Sequence, residues 1–192
     1  MSAISLHLAS TSPRRREILN ALGLTFTTAG VAVDEQRLPG EAADAMVLRL
    51  ARAKAEAVQR KQLQVVLGAD TAVVLGDEIL GKPRDCDDAV NMLAQLSGRT
   101  HAVLTGVALS TGQGLRTILS TTEVRFRKIR PDEALAYWQS GEPCDKAGAY
   151  AIQGRGGVFV EAISGSYSGV VGLPVFETVQ LLHDAGIQVL HD

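Results

Sequence analysis

The chain has 192 residues, of which 46% are hydrophobic and 21% charged, as is ordinary for a soluble globular protein. Its net charge of −2 argues against broad electrostatic binding to nucleic acid or to an anionic membrane surface. No charged-then-apolar signal opens the sequence, and no apolar run reaches the ~20 residues that span a bilayer, so we expect a cytoplasmic protein.

Strands and helices alternate along the first half of the chain. We predict strands over 4–9 and 26–29, a helix that begins at the N-cap Ser12, and a long helix over 41–61. An apolar strand over 65–69 follows, is interrupted at 70–71 and resumes at 72–75. Gly76-Asp77 predicts a hairpin turn, and the next helix covers 85–96.

The second half predicts a hairpin of two long strands, a helix from Pro131 to Ser140, and glycine-rich loops over 145–173 around a strand at 158–163. The hairpin strands cover 100–110 and 115–127, and a last helix begins with Pro174 as its first residue. Helices alternating with strands, plus a hairpin, predict a mixed α/β sheet. No linker divides the sequence, so we expect one domain over 1–192.

A basic turn follows the first strand and carries three small hydroxyl residues and three arginines: Ser10-Thr11-Ser12-Pro13-Arg14-Arg15-Arg16. Cations at the start of a helix cost about 0.3–1 kcal/mol each at low salt, because this end is already positive. The arrangement becomes favourable when an anion binds there. The turn therefore predicts a phosphate site, and the alternative is a solvated helix start with incidental arginines.

Asp70 is predicted at the end of the apolar strand over 65–69, where sheets of this class open onto a ligand cleft. A carboxylate at that point can hold a divalent cation or take a proton from water. The alternative is a turn aspartate that bonds its own backbone.

Lys54 falls inside the apolar arc of the long helix, which Met46, Leu50, Ala53 and Ala57 define. A lysine there either extends its ammonium group to the surface or reaches a buried anion.

Three further residues support a nucleotide site without establishing one. Pro83 restricts Lys82 to an extended backbone, Glu35 offers a second metal ligand, and the amide of Gln153 could read a base edge. Taken singly, such charged residues are usually surface groups. The four histidines and two cysteines show no metal-ligand spacing.

Together these motifs resemble the Maf family of nucleotide pyrophosphatases. The resemblance runs nearly end to end through Leu8-Ala9-Ser10-Thr11-Ser12-Pro13-Arg14-Arg15, Gly68-Ala69-Asp70-Thr71, Gly81-Lys82-Pro83-Arg84-Asp85, Asp145-Lys146-Ala147-Gly148-Ala149-Tyr150 and Val171-Gly172-Leu173-Pro174. It implies an elongated mixed sheet flanked by helices, with two lobes around an active-site cleft, as in inosine triphosphate pyrophosphatases. It also implies hydrolysis of a nucleoside triphosphate to the monophosphate and diphosphate.

Residue by residue, the resemblance implies that Asp70 is the proton acceptor. The residues that match the family's phosphate- and metal-handling groups are Ser10, Arg15, Glu35, Lys54 and Lys82. It further implies a Mg²⁺ or Mn²⁺ cofactor, with Glu35 and Asp70 as ligands. Whether Asp70 acts as the base or as a metal ligand is left open.

Arg14, Thr71 and Gln153 resemble the branch of the family that prefers dTTP and UTP. The branch that acts on 7-methyl-GTP tends to carry a bulky non-basic residue, Gln and Glu at these three positions. Two other readings stay open: another base, such as 7-methylguanine or a modified pyrimidine, or a non-enzymatic nucleotide-binding regulator of septum formation. The resemblance also suggests a homodimer.

Overall fold

The computed structural model describes residues 4–59 and 64–190, which contain seven strands and six α-helices. The strands are β1 (Ser5–Leu8), β2 (Phe26–Thr28), β3 (Gln64–Leu75), β4 (Glu78–Leu80), β5 (Thr100–Thr111), β6 (Gly114–Phe126) and β7 (Val160–Ser164). The helices are α1 (Pro13–Ala21), α2 (Ala43–Glu56), α3 (Cys86–Leu96), α4 (Pro131–Gln139), α5 (Tyr167–Val171) and α6 (Val175–Asp184).

The strands form one sheet in the order β2-β1-β3-β5-β6-β7, and β4 pairs with β3 off this path. β1 pairs in parallel with both β2 and β3, whereas β3 with β4 and β6 with β7 pair antiparallel. The predicted mixed α/β class is therefore confirmed. β1 is buried at Leu6, His7 and Leu8, as expected for a parallel strand covered on both faces.

The chain divides into two compact units, each with its own core. The first comprises the described residues within 1–70, 105–120 and 172–192, and the second those within 71–104 and 121–171. The largest core cluster of the first unit includes Leu8, Leu67 and Leu182, and that of the second includes Leu93 and Phe126.

Two glycines let α2 lie directly on the sheet of the first unit. A Cβ at Gly68 of β3 would lie 2.7 Å from the Ala55 nitrogen, and one at Gly106 of β5 would lie 2.5 Å from the Val47 oxygen. Real side chains do not tolerate such contacts with backbone, so both positions require glycine. This close approach sets how near the α2 side chains come to β3.

The core of the second unit is aromatic. The rings of Phe126 and Tyr150 pack edge to face at 4.7 Å, and those of Tyr137 and Phe159 at 5.2 Å. His101 packs edge to face on Phe126 and bonds the Tyr150 hydroxyl through Nε2 at 2.8 Å. Edge-to-face geometry matches the quadrupoles of such rings.

Several predicted boundaries need correction. α2 ends at Glu56 instead of running to 61, and residues 60 and 61 of that prediction lie outside the described part. Its buried face is formed by Met46, Val47, Leu50, Ala51 and Ala55, whereas Ala57 of the predicted stripe is exposed. α5 lies in a segment predicted as loop, and Pro174 is the N-cap of α6, one place before the first helical residue.

The histidines and cysteines occupy different environments. His7 and His101 are buried, His183 is exposed, and His191 lies outside the described residues. Cys86 and Cys144 are free thiols. Within 4–59 and 64–190, no helix is long and apolar enough to cross a membrane.

Candidate active site

The basic turn between β1 and α1 is ordered by its own hydroxyl groups. Ser12 is the N-cap of α1, and its Oγ accepts a hydrogen bond from the Arg15 N–H at 3.5 Å. The Ser10 Oγ accepts from the Ser12 N–H at 3.1 Å and from the Arg15 guanidinium at 3.3 Å. The predicted helix start is confirmed, and Ser10 and Arg15 lie together beside it.

Arg15 is fixed by a second contact from the opposite end of the chain. Its Nε donates to the Gly172 carbonyl oxygen at 2.8 Å, which ties α1 to the Val171-Gly172-Leu173-Pro174 motif. Burial lowers the pKa of Arg15, and the carboxylates of Asp70 and Glu35 oppose that shift. Arginine stays charged in either case, so the guanidinium is a permanent, oriented cation.

Lys54 is the centre of the site. From α2 its Nζ reaches Asp70 Oδ1 on β3 at 2.7 Å and Glu35 Oε1 in the loop before α2 at 2.6 Å. The side chains of Lys54 and Asp70 are only 12% and 13% exposed, and that of Glu35 is 58% exposed. The lysine inside the predicted apolar arc therefore reaches a buried anion, as one of the two readings of the sequence expected.

Asp70 does not lie where the sequence placed it. It is inside β3, which continues without a break from Gln64 to Leu75, and is not at the end of a strand. The strand continues because Val73, Val74 and Leu75 pair with β4, and this pairing supports the backbone beyond Asp70. A charged residue fits inside the strand because Lys54 compensates its carboxylate.

Burial raises the pKa of Asp70, and Lys54 and Arg15 act in the opposite direction. The net shift is upward, so this carboxylate binds a proton more readily than an exposed aspartate does.

A cavity of about 110 Å³ opens beside these groups. It is lined by Ala9, Ser10, Thr11, Gly30, Val31, Glu35 and Lys54. A Cβ on Gly30 would lie 2.8 Å from Thr11 Cγ2, so glycine at this position lets the two lining residues pack closely together.

The remaining predicted residues are in different places. Arg14 is half-buried beside Arg15, and its charge contributes to lowering the Arg15 pKa. Thr71, Lys82 and Gln153 belong to the second unit, where Lys82 and Gln153 are exposed. The Gly148 N–H donates to the Gly81 oxygen at 3.0 Å, which fixes the backbone immediately before Lys82.

Two features of the site were missed from the sequence. From the sequence, Gly172 had no role beyond its place in a motif, whereas in the structure its carbonyl oxygen accepts a hydrogen bond from Arg15. Gly30 and Val31 line the cavity although the loop that carries them showed no pattern.

Glu35 and Asp70 are the predicted metal ligands. Among the described residues, no group of three or more His, Cys, Asp and Glu side chains could hold a metal ion. The two carboxylates nevertheless converge on one cationic atom, the Lys54 ammonium. This donor set fits Mg²⁺, which takes one or two carboxylates and completes its shell with water and phosphate oxygens.

A family model for Maf-like proteins matches residues 5–185. The chain is 53% identical over 191 residues to the dTTP/UTP pyrophosphatase of Hahella chejuensis, covering 97% of this chain and 95% of that protein. It is also 53% identical over 180 residues to the dTTP/UTP pyrophosphatase of Shigella sonnei, covering 93% and 91%. The Staphylococcus aureus Ham1 protein is a structural neighbour with a TM-score of 0.46 and 13% identity, over 64% of this chain and 71% of that chain.

Proposed function

The chain belongs to the Maf family, and on that premise we propose that it is a nucleoside triphosphate pyrophosphatase that hydrolyses dTTP and UTP. The products are the nucleoside monophosphate and inorganic diphosphate. Relatives at 53% identity over more than nine-tenths of the chain are named for this activity. We also propose that both units act as one Maf-type domain, since the family match spans them.

The observation that carries the proposal is the contact of Lys54 with two carboxylates beside the basic turn. Asp70 and Glu35 lie within 2.7 Å of one ammonium group, and the cavity next to it is lined by Ser10. Cations, a helix N-terminus and carboxylates gathered beside one cavity suit a phosphate chain attacked by water.

In the reaction, water attacks the α-phosphorus and the bond to the bridging oxygen of the diphosphate breaks. Arg15, Lys54 and the start of α1 stabilise the charge that develops on the leaving diphosphate. We propose the same role for Lys82. Asp70 takes the proton of the attacking water, and Glu35 holds Lys54 in place on the other side.

Glu35 and Asp70 are the residues that would hold a divalent cation. When bound, Mg²⁺ or Mn²⁺ would neutralise the phosphate charge that repels the incoming water. Asp70 as proton acceptor and Asp70 as metal ligand are competing roles, because a bound cation reduces its affinity for a proton.

We propose that Arg14, Thr71 and Gln153 select the base. This assignment depends on their match to the branch that prefers dTTP and UTP. The homodimer and the cytoplasmic location stay predictions.

The test is a panel of triphosphates with Mg²⁺ or Mn²⁺, read by diphosphate release from the wild type and from Asp70→Asn. We expect release from dTTP and UTP by the wild type and a loss of at least about a hundredfold in the variant. Glu41→Gln is the matched control, because it removes a carboxylate that pairs with Arg49 at 2.6 Å outside the cavity. It should keep its activity.

The panel also decides between the other readings. Preferred release from 7-methyl-GTP would contradict the proposed base selection. Tight nucleotide binding without diphosphate release from any triphosphate would indicate a regulator instead. Near-normal turnover by Asp70→Asn would contradict the role of Asp70.

A further inference from the structure

Glu142, which has no assigned role, holds the backbone around Gln153. It begins the 3-10 turn Glu142–Asp145, shortly after α4. Its Oε1 accepts hydrogen bonds from the Tyr137 hydroxyl at 2.7 Å and from the Gly156 N–H at 3.0 Å. Its Oε2 accepts from the Arg155 N–H at 2.9 Å. Three donors therefore converge on one carboxylate, and two of them lie two and three residues after Gln153 in the chain.

Tyr137 fixes the other side of the same segment. Its hydroxyl oxygen accepts a hydrogen bond from the Ala151 N–H at 3.0 Å. The backbone is thus held two residues before Gln153 and again two and three residues after it. Gln153 itself is exposed, between these fixed points. We call residues 151–156 the Gln153 segment.

The glycines of the Gln153 segment are needed for these contacts. A Cβ on Gly154 would lie 2.7 Å from Glu142 Oε1, and one on Gly156 would lie 2.5 Å from the Tyr137 hydroxyl oxygen. Only glycine lets the carboxylate and the phenol approach the backbone this closely. The glycine-rich sequence around Gln153 is therefore matched to Glu142 and Tyr137, and is not simply a flexible loop.

The protonation states suit this arrangement. Burial alone would raise the pKa of Glu142, but the hydrogen bonds from Gly156, Tyr137 and Arg155 outweigh it and leave the pKa below its ordinary value. Burial and the neighbouring Glu142 raise the pKa of Tyr137. At neutral pH the carboxylate is thus ionised and the phenol is a neutral donor.

We propose that Glu142 and Tyr137 are positioning residues that fix the Gln153 segment and thereby set the selection of the base. The inference rests on the proposed function, in which Gln153 reads the base of dTTP and UTP. An amide whose backbone is ordered before binding costs less free energy to bind. It also presents its donor and acceptor in one orientation, which one base edge fits better than another. Glu142 and Tyr137 supply that order from α4 and the turn after it.

The experiment compares Glu142→Ala, Glu142→Gln and Tyr137→Phe with the wild type. For each protein, kcat and KM are measured for dTTP, UTP and 7-methyl-GTP. We expect Glu142→Ala to raise KM for dTTP and UTP on the order of tenfold or more, with a much smaller change in kcat. The preference of Glu142→Ala for dTTP and UTP over 7-methyl-GTP should be smaller than that of the wild type. Glu142→Gln keeps one acceptor oxygen, so its preference should lie between those of Glu142→Ala and the wild type.

Thr122→Val is the matched control. Thr122 is buried in the same unit, and its Oγ1 accepts from the Ser166 N–H at 2.9 Å and donates to the Ser166 oxygen at 3.3 Å. It therefore holds a different loop with a similar number of bonds. Thr122→Val should lose stability without changing base selection, and circular dichroism checks that every variant is folded.

A double-mutant cycle with Gln153→Ala separates positioning from general damage. If Glu142 acts through Gln153, Glu142→Ala changes selectivity in the wild-type background and has little further effect once Gln153 is alanine. Additive effects, or an equal loss of selectivity in Thr122→Val, would overturn the inference. If Glu142→Ala does not fold, the same outcomes are read from Tyr137→Phe.

The two proposals fail in different ways. An active wild type with unchanged selectivity in Glu142→Ala and Tyr137→Phe overturns the positioning role alone. A wild type that hydrolyses neither pyrimidine triphosphate overturns the proposed function and this inference with it.

Discussion

The buried histidine of the second unit predicts a specific dependence of stability on pH. His101 is 3% exposed, and burial lowers its pKa from 6.5 to about 4. Its Nδ1 has no hydrogen-bond partner among the described residues, while Nε2 contacts the Tyr150 hydroxyl. The folded protein therefore holds the neutral ring, and replacing it by glutamine removes the titration while keeping a polar group for Tyr150.

The sign follows from which state binds the proton. Between pH 6.5 and about pH 4 the unfolded chain protonates this histidine and the folded chain does not, so stability falls as the pH falls. Each pH unit of separation corresponds to about 1.4 kcal/mol, which gives a loss of about 3 kcal/mol between pH 7 and pH 4. The stability that the neutral His101 ring contributes to the folded protein is fully present above pH 6.5.

The assay is urea unfolding of the wild type and His101→Gln at several pH values, followed by circular dichroism. The variant is expected to be less stable at pH 7, because it loses the ring packing on Phe126, but the difference should shrink by about 3 kcal/mol by pH 4. Tyr150→Phe is the control: it keeps the histidine and should keep the wild-type slope. If the free energy of unfolding changed with pH equally in the wild type and in His101→Gln, this account of the burial of His101 would be refuted.

Three further predictions concern the first unit. Gly68→Ala should lower the free energy of unfolding by about 1–3 kcal/mol, because its Cβ meets the backbone of Ala55; Gly81→Ala, with open space around it, is the control, and equal losses would contradict the reasoning. Arg15→Lys keeps the charge but loses the fork that reaches Gly172, so KM for dTTP should rise about tenfold, and an unchanged KM would argue against phosphate binding there. Lys54→Gln removes the ammonium between two carboxylates, so turnover should fall at least about a hundredfold at saturating dTTP, and retained turnover would exclude it from the chemistry.

The sequence was a good guide wherever a local signal decides the structure. Ser12 and Pro13 predicted the start of α1, and Gly76-Asp77 predicted the β3–β4 turn, where Gly76 has a φ of +61°. Both features depend on the backbone preferences of one or two residues. The strand break predicted at Asp70 was wrong, because the polar residues Asp70 and Thr71 were interpreted as the end of the strand. The compensating charge comes from Lys54, which is 16 residues away and invisible to a local pattern.

The same limit explains which parts of the site were predicted. Lys54 stood out because a charged residue broke an apolar arc, but the pattern could not say what it reaches. That is decided by how deeply α2 lies on the sheet, and Gly68 and Gly106 set this depth from strands β3 and β5. A glycine in an apolar strand reads locally as a weak strand residue. Here Gly68 and Gly106 matter because they let α2 pack against the strands. A side chain at either position would lift α2 and draw the Lys54 ammonium away from Asp70.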